Sequence, residues 1–210
     1  MKKFLAGIVL TSSLLSGTAM AAELPAAPAA YDWTGFYLGA QVGGDFLSAN
    51  NVGASNLQNS LGLEGGLNAE FLKQSNKLVF GVVGSGNFST NSGTANCLNP
   101  GATICTLASS WNASVRGKLG YSANNVLFYG TGGWGWADFH KTSSSNNTDI
   151  RTLNGWAAGL GVSYAVSPKW VLNLEYLHYD LGSGTPFVVI GGEKAGPSMD
   201  TVTVGASYKF

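Results

Sequence analysis

Short segments in which apolar and polar residues alternate run from Trp33 to Phe210, separated by clusters of Gly, Asn, Ser and Pro. Alternation with a period of two places successive side chains on opposite faces of a β-strand. No part of this region has the apolar spacing of a helix. Many short strands bounded by turn residues are typical of an all-β barrel, and this is the fold class that the pattern predicts.

Eight strand segments are predicted. In the clearest one, Leu61, Leu63 and Leu67 share one face, whereas Glu64 and Glu70 share the other. The facing of the third and fifth segments is open, because the third is apolar on both faces and the fifth is rich in glycine. The predicted segments cover residues 34–44, 61–71, 78–88, 111–121, 126–137, 156–164, 170–176 and 201–210.

The connections between these segments alternate in length. Tight turns are predicted at 73–77, 122–125 and 165–169. Long polar loops are predicted at 45–59, 89–109, 138–154 and 182–199. Short periplasmic turns and long external loops are typical of outer-membrane barrels. We therefore predict an eight-stranded antiparallel transmembrane β-barrel with four long extracellular loops and short periplasmic turns.

The N-terminus has the pattern of a secretory signal peptide. Lys2 and Lys3 precede an apolar run at 4–15, and small residues follow at 19–21. This pattern predicts cleavage after Ala21 or Ala22. The run is shorter than the ~20 residues that a membrane anchor needs. The predicted organisation is a signal peptide at 1–22, a flexible mature N-terminus at 23–32 and the barrel at 33–210.

Composition narrows the possible classes of function. Loss of the signal peptide leaves nine basic and eleven acidic residues without a basic patch, so no nucleic-acid partner is expected. Charged residues make up only 10% of the chain and aromatic residues 11%, which argues against disorder. The predicted mature chain has no apolar run of about 18 residues, so a membrane would have to be crossed by strands.

Alternation alone does not show whether the polar face of the strands lies outside or inside the barrel. A soluble periplasmic ligand-binding barrel has its polar face outside, whereas a membrane barrel has it inside. Aromatic residues of the apolar parity collect at both predicted ends, as the two interfaces of a bilayer favour. The turn-end group is Trp33, Phe71, Tyr121, Tyr164, Trp170, Tyr208 and Phe210, and the loop-end group is Trp111, Trp156 and Tyr176.

The opposite parity carries a balanced set of charges. Because side chains fill the interior of an eight-stranded barrel, these charges are predicted to pair with one another in the lumen. A lumen filled in this way leaves no room for bulk diffusion. The predicted network contains Glu64, Glu70, Glu175, Arg116, Lys118 and Lys209.

Several motifs resemble a known family. The matching stretches are 33–39 (WTGFYLG), 116–121 (RGKLGY), 129–133 (YGTGG) and 174–176 (LEY). They resemble the small outer-membrane β-barrel surface antigens of Gram-negative bacteria, which include porin-like, opacity-like and hemin-binding members and are similar to OmpA transmembrane domains. The resemblance implies a cell outer-membrane location, contact with outer-membrane lipid, and loops that contact host or other cell-surface factors.

The last strand carries a further match. Thr203, Gly205, Tyr208 and Phe210 are spaced like the C-terminal signal that the outer-membrane insertion machinery reads. Recognition of an edge strand before the barrel closes is physically reasonable, because closure removes the free edge. An ordinary amphipathic strand is the alternative interpretation.

Cys97 and Cys105 are the only cysteines and stand in a polar loop. Their spacing fits neither a CxxC redox motif nor a zinc site, for which further ligands are missing. In an oxidising exported compartment, the two are predicted to form a disulfide that closes a short surface loop.

Two histidines are the remaining candidates for chemistry. His178 could serve a membrane-embedded enzyme that modifies lipid, but no serine partner is evident, and Asp180 shares its parity only if the strand continues. His140 could ligate hemin iron, as the resemblance to hemin-binding members allows. Apart from hemin, no cofactor or metal is predicted, and the protein is expected not to be an enzyme. The predicted function is therefore structural and surface-displayed.

Overall fold

The computed structural model describes residues 30–49, 57–95, 105–143, 148–182 and 197–210. The predicted signal peptide at 1–22 lies outside these residues, as does most of the linker predicted at 23–32, so both stay predictions. Within the described part, no helix is long and apolar enough to cross a membrane.

Ten strands are formed by the described residues. Their bounds are β1 Gly35–Ala49, β2 Leu57–Ser75, β3 Leu78–Ser89, β4 Ser92–Ala95, β5 Cys105–Ala108, β6 Trp111–Ala123, β7 Val126–Ser143, β8 Thr148–Ala165, β9 Trp170–Asp180 and β10 Pro197–Lys209.

Eight of these strands close into an antiparallel barrel in the order β1, β2, β3, β6, β7, β8, β9, β10 and back to β1. Following paired residues around the barrel from Phe36 leads back to Phe46, ten residues further along β1. A stagger of this size in eight strands tilts them by roughly 40° and leaves an interior that side chains fill. The predicted closed eight-stranded barrel is confirmed.

The strands extend further than predicted at one end, which we call the loop end. The predicted loop at 138–154 is mostly strand, because β7 runs to Ser143 and β8 begins at Thr148. The predicted loop at 89–109 contains the β4–β5 hairpin, whose second strand pairs with the end of β7. These predictions were wrong because the strands continue past the apolar band, where alternation of apolar and polar residues is no longer needed.

The opposite end, here called the turn end, has tight connections as predicted. Ser75 pairs with Leu78 and Ala123 with Val126, so two-residue turns join these strands. The first residues of these turns, Asn76 and Asn124, have φ angles of 54° and 56°. Asn tolerates this left-handed conformation better than most residues, which explains its presence in both turns.

The two faces of the barrel differ sharply in chemistry. Leucine, valine and aromatic side chains cover the outside, whereas most of the buried polar side chains line the lumen. The third predicted segment places Phe80 and Val82 outside and Ser85 inside, and the fifth places Phe128 outside and Thr131 inside. An apolar exterior around a polar interior is the arrangement of a membrane barrel and excludes the soluble alternative.

Aromatic side chains form a belt around the outside of the turn end. All eight barrel strands contribute to it, and Phe210 adds a ring that contacts Phe36 and Tyr208. A second group of outward aromatic residues lies near the loop end, including Phe46, Phe88 and Trp156. Two belts flanking an apolar band match the two interfaces of a bilayer. The turn-end belt consists of Phe36, Phe71, Phe80, Tyr121, Phe128, Tyr164, Trp170 and Tyr208.

Candidate functional site: the barrel lumen

An apolar cluster fills the turn end of the lumen. Trp33, predicted to join the outer aromatic belt, is instead 1% exposed within this cluster. It precedes β1 and folds across the mouth of the barrel, where its Nε1 donates to Ser122 Oγ at 3.0 Å. Tyr37 donates its hydroxyl to the Trp33 carbonyl at 2.9 Å. The cluster comprises Trp33, Tyr37, Leu72, Val79, Leu127, Tyr129, Ala165 and Val171.

Lys209 lies at this same mouth and does not join the predicted central network. Its ammonium donates to the carbonyl of Asp32 and lies 4.8 Å from the ring centroid of Tyr31. The Asp32 carboxylate accepts from the backbone N–H of Thr34 at 2.9 Å. That hydrogen bond, with a smaller contribution from Lys209, lowers the pKa of Asp32. Lys209 is the last residue of β10, so its inward parity places it at the end of the lumen, far from Glu64.

The middle of the lumen is built around Arg116. Its Nη1 lies 2.8 Å from Glu175 Oε1 and also donates to Thr131 at 2.9 Å. Nε donates to Ser114 Oγ at 3.0 Å. Arg116 is 3% exposed, so these partners replace the water that a guanidinium would otherwise need.

A second ion pair lies beside the first. Lys118 Nζ is 2.6 Å from Glu70 Oε2 and 3.9 Å from the ring centroid of Tyr129. Both charged side chains are more than nine-tenths buried. The ring of Tyr129 belongs to the turn-end cluster, so this lysine joins the charged middle to the apolar turn end. The structure thus brings together four of the six residues of the predicted network.

Acidic and amide side chains occupy one half of the loop end. Glu64, the fifth predicted network residue, contacts no cation here and accepts instead from Asn112 Nδ2 at 2.8 Å. Asp45 Oδ2 accepts from Asn91 Nδ2 at 3.0 Å and from Ser89 Oγ at 2.9 Å. Asn91 Nδ2 also donates to the carbonyls of Asp45 and Ser60.

An apolar cluster occupies the other half of the loop end. It is carried by β7, β8, β9, β10 and the end of β1, so it faces the acidic half across the lumen. Tyr179 joins the two halves, because its hydroxyl donates to Asn112 Oδ1 at 3.4 Å. The cluster comprises Leu47, Ala137, Phe139, Leu153, Ala157, Leu177, Tyr179, Leu181 and Met199.

Two loop-end residues, Asp45 and Asn91, were missed by sequence reasoning. Both fell in stretches predicted to be loops, although Asp45 keeps the inward parity of Gly43 and stands between the outward Phe46 and Gly44. The polar Asp45 before the apolar Phe46 continues the alternation of β1 by one step, and this was the signal that could have placed Asp45 in a strand. Asn91 lies between β3 and β4, where no periodicity marks it as buried.

His140 lies near the end of β7, in contact with two side chains. Its Nε2 is 2.7 Å from Asp138 Oδ2 and 3.3 Å from Ser110 Oγ. A hydrolase triad needs the carboxylate and the serine on different nitrogens of the ring, so this trio lacks that geometry. Because both contacts use Nε2, a heme iron bound there would displace them. Hemin coordination by His140 stays a prediction.

His178 lies on the outer face near the loop-end aromatic residues. Its Nδ1 is 2.7 Å from Asp200 Oδ1, which also accepts from the Tyr176 hydroxyl at 2.6 Å. The carboxylate considered from sequence, Asp180, instead accepts from Trp156 Nε1 at 3.2 Å. Among the described residues, His178 contacts Asp200 and Trp156, and no serine or threonine lies against it to supply a nucleophile.

The residues of the predicted insertion signal occupy both faces of β10. Thr203 is buried in the lumen, whereas the Tyr208 ring lies 5.4 Å from Trp170 on the outside. Gly205 pairs with Gln41, and Phe210 is 70% exposed. Recognition by the insertion machinery stays a prediction. Cys105 begins β5, but Cys97 lies outside the described residues, so the disulfide also stays a prediction.

Comparisons with known proteins agree with this geometry. Residues 11–210 match the family described as outer membrane protein beta-barrel domain. The chain is 28% identical to the 31 kDa outer-membrane immunogenic protein of Brucella melitensis, over 97% of this chain and 99% of that protein. It is 29% identical to the 22 kDa outer membrane protein of Rhizobium leguminosarum bv. viciae, over 90% and 83% of the two chains.

Solved structures share the fold at low sequence identity. Neisserial surface protein A is 17% identical, with a TM-score of 0.55 over 84% of this chain and 98% of that one. OprG of Pseudomonas aeruginosa is 13% identical, with a TM-score of 0.50 over 86% and 98%. The match over nearly the whole length, together with the apolar exterior, shows that this chain belongs to the outer membrane protein beta-barrel domain family and is a protein of the outer membrane.

Proposed function

We propose that this protein is a structural, non-conducting barrel that displays its loop end at the cell surface. The observation that carries the proposal is the filled lumen. Buried side chains occupy it at the turn end, in the middle and at the loop end. Bulk solute passage needs a water-filled channel, which barrels of 16–18 strands have and an eight-stranded barrel lacks.

Conductance in planar bilayers tests the closed lumen. We expect the refolded protein to insert without steady conductance steps, while a sixteen-stranded porin in the same bilayer conducts. Heat-modifiable migration of the refolded sample shows that the barrel is intact. Regular conductance steps from the intact barrel would contradict a structural role and favour a pore.

Two observations support display of the loop end at the cell surface. The connections are longer at the loop end than at the turn end, and the chain is similar in sequence to an immunogenic protein. The Brucella relative is named an outer-membrane immunogenic protein, which is consistent with exposure of its surface. The loops would then contact host factors or other cell-surface components. The two-residue turns at Asn76 and Asn124 would face the periplasm.

Labelling of intact cells tests this orientation. Ser92 is exposed at the start of β4 at the loop end, and Lys77 is exposed in a turn at the other end. In a background with Cys97 and Cys105 changed to Ser, a membrane-impermeant maleimide should label Ser92→Cys on whole cells and Lys77→Cys only after lysis. The reverse pattern would overturn the orientation.

The non-enzyme part of the proposal rests on the surroundings of the two histidines. Among the described residues, His178 contacts Asp200 without a hydroxyl nucleophile, and His140 contacts both of its partners through one nitrogen. Comparison of lipid A from cells that express the wild type or His178→Ala tests it. Identical lipid profiles are expected, and a modification lost in the variant would establish an enzyme.

A further inference from the structure

We propose that the acidic half of the loop end binds one calcium ion between Asp45 and Glu64. Both carboxylates face the lumen, and their relative exposures are 0% and 4%. Each has one oxygen without a hydrogen-bond partner, Asp45 Oδ1 and Glu64 Oε1. The inference does not depend on the proposed structural role, because it concerns a ligand of the folded barrel.

The charges of the lumen require a compensating cation. Among the described residues between the two mouths, Glu175 and Glu70 are engaged in ion pairs with Arg116 and Lys118. Asp45 and Glu64 are buried there without an ion-pair partner. An uncompensated buried charge is strongly unfavourable, so burial of both carboxylates as anions calls for about two positive charges.

The register of β1 and β2 brings the two carboxylates near each other. Asp45 pairs with Gly62, and Glu64 follows two residues later on the same face of β2. Side chains in such a diagonal relation are close enough for a long residue to reach across. Two ionised carboxylates placed this close repel each other. A divalent cation between them would replace this repulsion with attraction.

Asp45 Oδ1 lies directly against Gly62, where any side chain would displace it. A Cβ at Gly62 would lie 2.5 Å from Asp45 Oδ1. Ser109, whose backbone N–H donates to the Asn91 carbonyl, carries another buried hydroxyl oxygen without a partner. These three oxygens are the buried side-chain atoms that lack a partner in the described chain. Contacts through Asn91 link the neighbourhoods of Asp45 and Ser109.

The donor set favours calcium over other metals. The described residues contain no group of three or more His, Cys, Asp or Glu side chains that could hold a metal ion, so two carboxylates need neutral oxygens beside them. Calcium accepts six to eight oxygens from carboxylates, amides, hydroxyls and water in irregular geometry, whereas magnesium requires a nearly ideal octahedron. Water alone could satisfy the free oxygens but would not neutralise the charge.

Thermal unfolding of the refolded barrel in detergent tests the site. The Tm of the wild type is measured first in EDTA and then with calcium at about a hundred times Kd. We expect the Tm in calcium to be higher by about 5 °C or more. Asp45→Asn and Glu64→Gln should each lose most of this rise. Asp180→Asn, an acidic residue on the outer face at the same end, should keep it. Electrophoretic migration of the unheated sample, compared with that of the heated sample, shows which variants form the barrel.

Terbium luminescence gives a second measurement that does not depend on stability. Bound terbium excited through Tyr179, whose hydroxyl contacts Asn112, should emit in the wild type and be displaced by calcium. Emission should fall at least ten-fold in the variant that combines Asp45→Asn with Glu64→Gln.

Three results would overturn the proposal. A wild-type Tm equal in EDTA and calcium would mean that protons neutralise the two carboxylates. A rise that sodium at equal ionic strength also produces would show general screening. A rise that persists in the double variant would place calcium elsewhere, for example on lipid or the outer face.

Discussion

Buried acidic residues have different partners in the middle of the lumen and at its loop end. In the middle, Glu175 and Glu70 lie against Arg116 and Lys118, at 2.8 and 2.6 Å. At the loop end, Asp45 and Glu64 contact amides and hydroxyls and meet no side-chain cation among the described residues. Both regions contain two carboxylates on the inner face of the barrel.

The difference shows that inward parity does not decide which partner a charge finds. Parity places a side chain in the lumen, but the stagger of the strands sets its height there. Lys209 has the same parity as Glu64 and opposite charge, yet it lies at the turn end over Tyr31. A lumen balanced in sequence is therefore locally unbalanced in space.

Stability should change most when a carboxylate in the middle of the lumen loses its cation, as the carboxylates at the loop end already lack one. Arg116→Ala removes the cation from Glu175 and leaves a buried carboxylate without its partner. We expect the free energy of unfolding to fall by about 3–5 kcal/mol. Urea unfolding of the barrel in lipid vesicles measures this value.

A second change provides the control for Arg116. Addition of Glu175→Gln to Arg116→Ala should recover part of the loss, because the unpaired charge is then gone. Lys73→Ala, on an exposed side chain, should change stability by less than about 0.5 kcal/mol. If Arg116→Ala cost as little as Lys73→Ala, the ion pair would contribute nothing to the difference between the two regions.

An intermediate effect is expected from filling the space beside Asp45. The Cβ of Gly62→Ala would lie 2.5 Å from Asp45 Oδ1 and 2.6 Å from the Asn91 Cβ. Overpacking of this kind costs about 1–3 kcal/mol. Gly86→Ala is the matched control, because its Cβ would meet nothing within 4 Å. Equal unfolding free energies for the two variants would show that the acidic half is loosely packed.

The smallest effect concerns Asp32 at the turn end, where a carboxylate does have a cation nearby. Its folded pKa lies below the ordinary value of 3.8, because the Thr34 N–H and Lys209 favour the anion. The ionised group therefore stabilises the fold above pH 3.8, and this contribution disappears as the pH falls through the folded pKa. Asp32 is mostly exposed, so only a few tenths of a kcal/mol are expected.

Unfolding of the wild type and Asp32→Ala at several pH values tests this prediction. The wild type should be slightly more stable at neutral pH, and the two should converge in acid. A difference that grows on acidification would mean that Asp32 is held in its neutral form.

Much of the fold could be predicted because the apolar band imposes a strict pattern. Leu61, Leu63 and Leu67 must face lipid, and Glu64 and Glu70 must then face inward. This requirement fixed the strand number, the closure and the exterior. It ends where the strands leave the band, so the ends of β7 and β8 and the hairpin β4–β5 could not be predicted.

The site was predicted less completely. Arg116, Lys118, Glu70 and Glu175 were named as a network, and the structure shows their pairing. Their partners, however, depend on register, which a period of two does not reveal. Asp45 was missed because it lies beyond the band. Trp33 was assigned to the outer belt by parity and strand end, but it has the parity of the inward Tyr37.

Alternation along each strand was enough to predict an outer-membrane barrel of eight strands with a polar interior, because lipid on one face requires that alternation. Which charges meet depends instead on the register of the strands in the folded barrel. A stagger of ten residues around eight strands sets the height of every lumen side chain. That stagger places Arg116 and Lys118 beside two acids in the middle and leaves Asp45 and Glu64 together at the loop end.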